Sequence, residues 1–182
     1  RKVKLPKKKE TVNEVNKFYN TDELKHFFDC VKEYGNMKYL AFFRLLAFTG
    51  MRKGEALALN WSDIDFQKKL VHITKGVVLD ENEIPMISTT KTKKSVRTVS
   101  VDGETIATLK RWKVEQAKEL MSIGINSMNK HQLLFTYDTN KLYRPSYSNC
   151  WLEQIIKKYN LKKITMHGFR HSHCSLLFEM ET

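Results

Sequence analysis

The sequence predicts a mostly helical α+β domain with a small antiparallel sheet of three strands. Apolar residues recur at helical spacing in the first and last thirds of the chain, whereas β-branched residues cluster between residues 69 and 101. The 182 residues, of which 41% are hydrophobic, are enough to fill one core and too few for two full domains. The order of helices, sheet and helices favours an α+β arrangement over a parallel α/β fold.

Three helices are predicted before the sheet. Asn20 places a capping side chain ahead of an acidic first turn, and apolar residues at helical spacing follow as far as Tyr34. Residues 37–49 are apolar nearly all round, so we expect a buried central helix that ends at Gly50. A shorter helix is expected over residues 52–59.

The sheet is predicted from runs of β-branched residues, which favour extended backbone. The runs occupy residues 70–74, 77–79, 84–90 and 96–101. A turn is expected at residues 80–83, and the lysine-rich residues 91–95 are expected at the tip of a hairpin. Three further amphipathic helices are predicted over residues 102–121, 146–159 and 167–180.

The charge balance points to a polyanionic partner. Lys and Arg total 32 against 20 Asp and Glu, which gives a net charge of +12, so nucleic acid is the leading candidate. Three scattered cysteines and the lack of an apolar leader argue against a secreted disulfide framework. Residues 39–48 are the most apolar stretch, but they are too few to span a membrane and include Arg44. We therefore expect a soluble cytoplasmic protein, associated with the nucleoid when it binds DNA.

Both ends of the chain suggest a piece of a longer protein. Residues 1–10 carry six bases and one acid, so residues 1–19 are predicted to be a basic linker or tail. A solvated tail and a segment lying against DNA phosphates both explain this run. The chain begins with Arg1 rather than Met and stops inside an apolar helical pattern. We expect residues 20–182 to form one domain that is incomplete at its C-terminus.

The first candidate site surrounds Arg52, which follows a glycine turn at a predicted helix start. The positive end of a helix dipole and nearby backbone N–H groups favour an anion there. Glu55 lies three residues further on, where its carboxylate can orient the guanidinium. A simple surface ion pair between the two residues explains the same pattern, and both interpretations stay open.

The second candidate site is the segment between residues 84 and 101, which contains four bases and no acid. The four bases are Lys91, Lys93, Lys94 and Arg97. Such a segment can contact DNA phosphates, and a mobile ammonium can donate a proton to a leaving oxygen. Lysine-rich edge strands also serve simply to prevent aggregation, so that explanation stays open as well.

The third candidate site lies near the end of the chain. His167 and Arg170 are three residues apart, so a helical start places an imidazole beside a guanidinium suited to phosphate. Zinc binding by His171, His173 and Cys174 is disfavoured, because these offsets splay the ligands around a helix. The sequence also lacks a Gly-rich phosphate loop and a carboxylate cluster for two metal ions. Chemistry on phosphate is therefore expected to need no metal and no cofactor.

Taken together, three motifs resemble those of the tyrosine recombinases, and particularly of the integrases of phages and conjugative transposons. The motifs are Thr-Gly-x-Arg-x-Gly-Glu at residues 49–55, Thr-Lys-Thr at residues 90–92 and His-x-x-Arg-His at residues 167–171. Their order is specific, and the resemblance covers residues 20–182. It implies the catalytic-domain fold of that family, truncated at the C-terminus.

The resemblance also implies a role for each matching residue. Arg52 and Arg170 match the two arginines that surround the scissile phosphate while a tyrosine attacks it. Lys91 matches the lysine that protonates the 5′-hydroxyl leaving group, and Lys93 competes for that assignment. His167 matches the histidine that acts as an acid or base or holds the phosphate. The implied reaction is DNA strand breakage and rejoining through a 3′-phosphotyrosine intermediate, in the integration or excision of a mobile element.

Further basic residues are expected to contact DNA around these groups. Glu55 is expected to support Arg52 from behind the site. The residues expected to bind DNA are Lys93, Lys94, Arg97, Lys162, Lys163 and His171. The implied partners are double-stranded DNA attachment sites and other protomers of the same recombinase.

The nucleophile of the family is not matched in this sequence. In the family the attacking tyrosine lies beyond the second arginine, whereas all seven tyrosines here precede His167. We therefore expect the chain by itself to be inactive in cleavage. Two other interpretations stay open, a DNA-binding protein without catalysis and a type IB topoisomerase, which shares the phosphate-binding groups.

Overall fold

The computed structural model describes residues 17–89 and 96–180, and within them the fold is mostly helical, as predicted. The α-helices of this part are α1 (Thr21–Tyr34), α2 (Met37–Thr49), α3 (Lys53–Leu57), α4 (Gly103–Ser122), α5 (Tyr147–Tyr159) and α6 (Gly168–Met180). All six predicted helices are therefore confirmed, with bounds that shift by a few residues at most. None of these helices is long and apolar enough to cross a membrane.

Local sequence signals explain where the first two helices begin and end. The Asn20 side chain accepts the Glu23 N–H at 2.8 Å, and the Glu23 carboxylate accepts the Asn20 N–H at 2.9 Å. This reciprocal pair satisfies two N–H groups that have no partner inside α1. Gly35 and Gly50 end α1 and α2 in the left-handed backbone conformation, as their positions in the sequence predict.

The strands of the described residues form two small antiparallel sheets rather than one. They are β1 (Ile64–Asp65), β2 (Leu70–Ile73), β3 (Lys75–Leu79), β4 (Pro85–Thr89) and β5 (Arg97–Ser100). The three-stranded sheet has the order β1-β2-β5, whereas β3 and β4 form a separate hairpin. A three-stranded antiparallel sheet is thus present, but the strand predicted at residues 84–90 is not part of it. Strand β1 takes that place and was not predicted, since two residues are too short for an alternating pattern.

The strands on either side of the lysine-rich residues 91–95 pair with different partners. The strand before these residues, β4, pairs with β3, and the strand after them, β5, pairs with β2. The predicted hairpin tip at residues 91–95 lies outside the described residues. The tight hairpin turn lies at residues 80–84, where the Asp80 N–H donates to the Ile84 carbonyl at 3.0 Å.

An aromatic cluster joins α1, α2 and α6. Phe27, Phe43 and Phe169 have no exposed surface, and the centroids of their rings lie 5.2 to 5.5 Å apart. Rings at these separations add attraction to the free energy of burying their apolar surface. Because Phe169 immediately precedes Arg170, the packing of its ring fixes where the first turn of α6 lies.

The packed domain begins earlier than the sequence indicates. Tyr19, assigned to the predicted linker, is only 2% exposed. Its N–H donates to the Ser172 hydroxyl at 2.9 Å, and its own hydroxyl donates to the Lys162 carbonyl at 2.8 Å. The domain therefore includes Tyr19. Residues 1–16 of the predicted linker lie outside the described residues.

Candidate active site

One cavity of about 1000 Å³ brings together three of the four predicted catalytic residues. Arg52, His167 and Arg170 all line it, although more than a hundred residues separate the first from the other two. The walls come from α3, β3, α5 and the start of α6. Bases exceed acids in this lining, since it also includes Lys53, Lys157 and Lys163 but only the two carboxylates of Glu55 and Glu153. The cavity is therefore suited to an anion.

Arg52 reaches the cavity from the residue that precedes α3. Its backbone is extended, with φ −76° and ψ 150°, and its N–H donates to a Glu55 carboxylate oxygen at 2.7 Å. Its guanidinium makes one longer contact with Glu55, at 3.3 Å, and 64% of its side chain remains exposed. The charge of Arg52 is thus oriented by Glu55 and still open to a ligand.

Glu55 is buried and is held by two arginines. The Arg97 guanidinium donates to both of its oxygens, at 3.1 and 2.8 Å, while only 5% of the Glu55 side chain is exposed. Burial opposes ionisation, but the hydrogen bonds from Arg97 and from the Arg52 backbone outweigh it and hold the Glu55 pKa below its ordinary value. The carboxylate is therefore charged at neutral pH.

The position of α3 depends on close packing against β3. A Cβ atom added to Gly54 would lie 2.9 Å from the Val77 carbonyl oxygen, and that oxygen belongs to the backbone of β3. Only glycine permits this approach without moving one of the two elements. Gly54, the second glycine of the first motif, thus places Arg52 and Glu55 against the β3–β4 hairpin.

Arg170 enters the cavity from the first turn of α6. Its Nη1 donates to the Gly50 carbonyl at 2.6 Å, and the residue is half-buried. A guanidinium has five N–H donors in a fixed fork, so one bond to Gly50 leaves others for a phosphate. Gly50 therefore ends α2 and also aligns the second arginine.

His173 links α6, one turn after Arg170, to the end of α2. Its Nδ1 lies 3.0 Å from the Ala47 carbonyl, and its ring packs against Gly50. Burial lowers the His173 pKa, and the positive charge of Arg170 lowers it further, against the raising effect of the Ala47 hydrogen bond. The ring is therefore neutral and donates through Nδ1 to Ala47.

His167 lies just before α6 with its side chain exposed to the cavity. Its carbonyl accepts the Arg170 N–H at 3.1 Å, so the two residues share one helical turn. The His167 ring packs edge-on against the His171 ring, with centroids 4.9 Å apart. His171 is exposed beside this group but is not part of the cavity lining.

The remaining predicted DNA-binding residues fall in different places. Lys91, Lys93 and Lys94 lie outside the described residues. Lys163 lines the cavity, whereas the Lys162 ammonium lies 2.9 Å from a carboxylate oxygen of Glu23. Arg97 does not line the cavity, because its guanidinium is bound to Glu55 behind Arg52.

Several polar residues of the cavity were missed by the sequence analysis, among them Lys53 and Asn149. Lys53 lines the cavity next to Arg52, and its ammonium donates to the Asn149 side chain at 3.0 Å. Burial lowers the Lys53 pKa. The position of Lys53, directly after Arg52, was an available signal, whereas nothing near Asn149 in the sequence indicates a site.

The arrangement is suited to stabilising charge on a phosphate. Two guanidiniums and an imidazole line the same cavity, and such groups donate hydrogen bonds to phosphate oxygens. All seven tyrosines lie in the described part of the chain, and none of them lines the cavity. Within that same part, no three His, Cys, Asp or Glu side chains are placed together to hold a metal ion.

Comparison with known proteins gives one consistent family. A model described as the phage integrase family matches residues 13–182. The ICEBs1 integrase of Bacillus subtilis (strain 168) is 30% identical over 88% of this chain and 43% of its own length. The integrase of Staphylococcus phage L54a is 31% identical over 98% of this chain and 54% of its own length. The chain thus spans about half the length of these relatives.

The fold is also that of a solved integrase. The integrase of transposon Tn1549, in complex with a circular intermediate DNA, superposes with a TM-score of 0.75 at 19% identity. The match covers 93% of this chain and 55% of the Tn1549 chain. At this identity the likeness concerns the fold, and it confirms the predicted fold class.

Proposed function

Because the chain belongs to the phage integrase family, we propose that it is the catalytic region of a site-specific DNA recombinase. The whole enzyme breaks and rejoins DNA strands through a phosphate linked to a tyrosine, in the integration or excision of a mobile element. The observation that carries this proposal is the convergence of Arg52, His167 and Arg170 on one basic cavity. Its partners are double-stranded DNA attachment sites and further protomers of the same recombinase, in the cytoplasm.

The two arginines stabilise the transition state by charge. When a tyrosine oxygen attacks the scissile phosphorus, negative charge builds on the non-bridging oxygens of a pentacoordinate centre. Arg52 and Arg170 hold these oxygens with preorganised N–H donors. These donors lower the free energy of the transition state more than that of the bound DNA, so they lower the barrier. Loss of one such donor costs about a hundredfold to a thousandfold in rate.

Two proton transfers accompany the exchange of bonds at phosphorus. A bond forms between the tyrosine oxygen and phosphorus, and the bond from phosphorus to the 5′-oxygen breaks. The tyrosine hydroxyl gives its proton to a base, for which His167 is the candidate unless it only hydrogen-bonds the phosphate. The departing 5′-oxygen takes a proton from Lys91, with Lys93 as the competing donor. The proposal places the nucleophile on a residue outside these 182 residues; in support, none of the seven tyrosines lines the cavity.

The proposal is tested in the natural full-length protein that contains this chain. The substrate is a labelled duplex selected from random-sequence DNA by its binding to that protein. Denaturation with SDS during the reaction is expected to trap a covalent adduct of protein and DNA. In the Arg52→Ala variant the adduct forms at least about a hundredfold more slowly, because one charge donor is lost, while the affinity for the duplex stays within about threefold.

A matched variant controls for the loss of one positive charge. Arg111 is exposed on α4, outside the lining of the cavity. The Arg111→Met variant should form the adduct at the rate of the unmodified protein. If full-length protein binds DNA but forms no adduct, or if Arg52→Ala weakens binding as much as cleavage, the function is DNA binding without catalysis.

A further inference from the structure

We propose that Arg97 is a positioning residue, which keeps Arg52 available to the phosphate by occupying both carboxylate oxygens of Glu55. The inference rests on the proposed function of the cavity. It gives Arg97 a role in the rate of the reaction that does not require Arg97 to touch DNA.

The guanidinium contacts of Glu55 are unequal between the two arginines. Arg97 makes a two-pronged pair, with Nη1 donating to one oxygen at 3.1 Å and Nη2 to the other at 2.8 Å. The Arg52 guanidinium has one contact at 3.3 Å, beyond the usual range of a strong charge-assisted bond. Arg97 therefore makes the stronger of the two side-chain ion pairs with Glu55, while the Arg52 backbone N–H holds one oxygen at 2.7 Å.

The exposures of the three side chains follow the same division. The exposed fraction is 64% for Arg52, 29% for Arg97 and 5% for Glu55. A carboxylate this deeply buried requires a charged partner, because an unpaired charge in the interior is strongly unfavourable. Arg97 supplies that partner from β5, which lies 42 residues away in sequence, and the exposed Arg52 guanidinium is left facing the cavity.

The surroundings of Glu55 offer no other cation to take over this role among the described residues. From its own turn Glu55 meets Arg52, and from β5 it meets Arg97. The hairpin strand β3 packs on α3, but it presents the backbone of Gly76 and Val77 there, and its Lys75 is bound to Asp63 at 2.9 Å. If Arg97 is removed, Arg52 is the remaining partner, so Glu55 draws its guanidinium away from the phosphate.

The competing explanation is that Arg97 binds DNA directly, as the sequence analysis expects for this basic segment. The two roles differ in what they depend on. If Arg97 contacts DNA, its removal weakens DNA affinity whether or not Glu55 is present. If Arg97 is a positioning residue, its removal slows cleavage, and only while Glu55 is present. A double-mutant cycle between the two residues separates them.

The experiment measures single-turnover cleavage at saturating duplex, and DNA affinity separately, in the full-length protein. The variants are Arg97→Met, Arg97→Lys, Glu55→Gln and the two double variants. We expect Arg97→Met to slow cleavage at least about tenfold with affinity changed by less than about threefold. With Gln at position 55, which keeps an acceptor for the Arg52 N–H but has no charge, the same change should cost less than about threefold.

Stability is controlled by assaying every variant well below its measured melting temperature. If Arg97→Met does not fold, the cycle is run with Arg97→Lys, which keeps a charge but loses the two-pronged geometry. A rate penalty that is equal with Glu and with Gln at position 55, or a penalty found mainly in affinity, overturns the inference. Normal cleavage by Arg52→Ala would instead refute the proposed function of the cavity itself.

Discussion

Replacement of Gly50 by alanine tests how the structure joins α2 to the second arginine. Gly50 has φ +61°, and a Cβ atom at this position would lie 2.7 Å from Cδ2 of His173. The left-handed conformation costs an alanine about 1–2 kcal/mol. Displacing the His173 ring from its rotamer adds about 0.5–1.5 kcal/mol. We expect Gly50→Ala to lower the free energy of unfolding by about 1.5–3.5 kcal/mol.

The chain contains a matched control for the backbone part of this cost. Gly35 also ends a helix with positive φ, at +79°, but its nearest neighbour to an added Cβ is the Glu33 carbonyl oxygen at 3.9 Å. Gly35→Ala should therefore cost about 1–2 kcal/mol, from the backbone alone. Both variants are compared by urea unfolding followed by circular dichroism, which gives the free energy by linear extrapolation.

A second background tests whether the His173 ring causes the difference. In protein that already carries His173→Ala, the cost of Gly50→Ala should fall to that of Gly35→Ala, because the clashing ring is gone. Equal costs for the two glycine variants with His173 present, within about 0.5 kcal/mol, would refute the reasoning. An excess cost that persists after His173→Ala would refute it as well.

Two further predictions concern charge. The unfolding free energy should fall as the pH drops from 7 to 3, because His173 and Glu55 have lowered pKa values in the fold and the unfolded chain binds more protons. The decline in stability begins near pH 6.5, the ordinary pKa of His173, and continues below pH 4.5, the ordinary pKa of Glu55. Urea unfolding across this pH range measures the decline, and a constant free energy of unfolding would contradict the prediction. This chain should also bind duplex DNA weakly, with an affinity that falls steeply with salt because bound phosphates release counterions. Fluorescence anisotropy at several salt concentrations measures the slope, and an affinity insensitive to salt would contradict a phosphate-binding surface.

The helices could be predicted from the sequence because their signals are local. The capping pair of Asn20 and Glu23, and the glycines that end α1 and α2, lie within a few residues of the boundaries they determine. The aromatic core follows from helical spacing in the same way. Arg52, His167 and Arg170 were selected through motifs whose residue types suit phosphate, and they line one cavity, while their catalytic roles stay a prediction.

The pairing of the strands and the partners of Glu55 could not be predicted, because they depend on contacts between distant residues. Nothing near residues 64–65 distinguishes a strand, and the choice of β2 rather than β4 as the partner of β5 depends on register across the sheet. Arg97 was expected to contact DNA because its neighbours in the sequence are basic. Its position beside a buried carboxylate is visible only in the folded chain.

The most direct test of the central claim is the structure of the full-length protein bound to its selected duplex. The account predicts one backbone phosphate in the cavity, with Arg52, Arg170 and His167 each donating to its oxygens at about 2.7–3.2 Å. Arg97 should remain on Glu55 in that complex. DNA bound on another face, with no phosphate near the two arginines, would contradict the account.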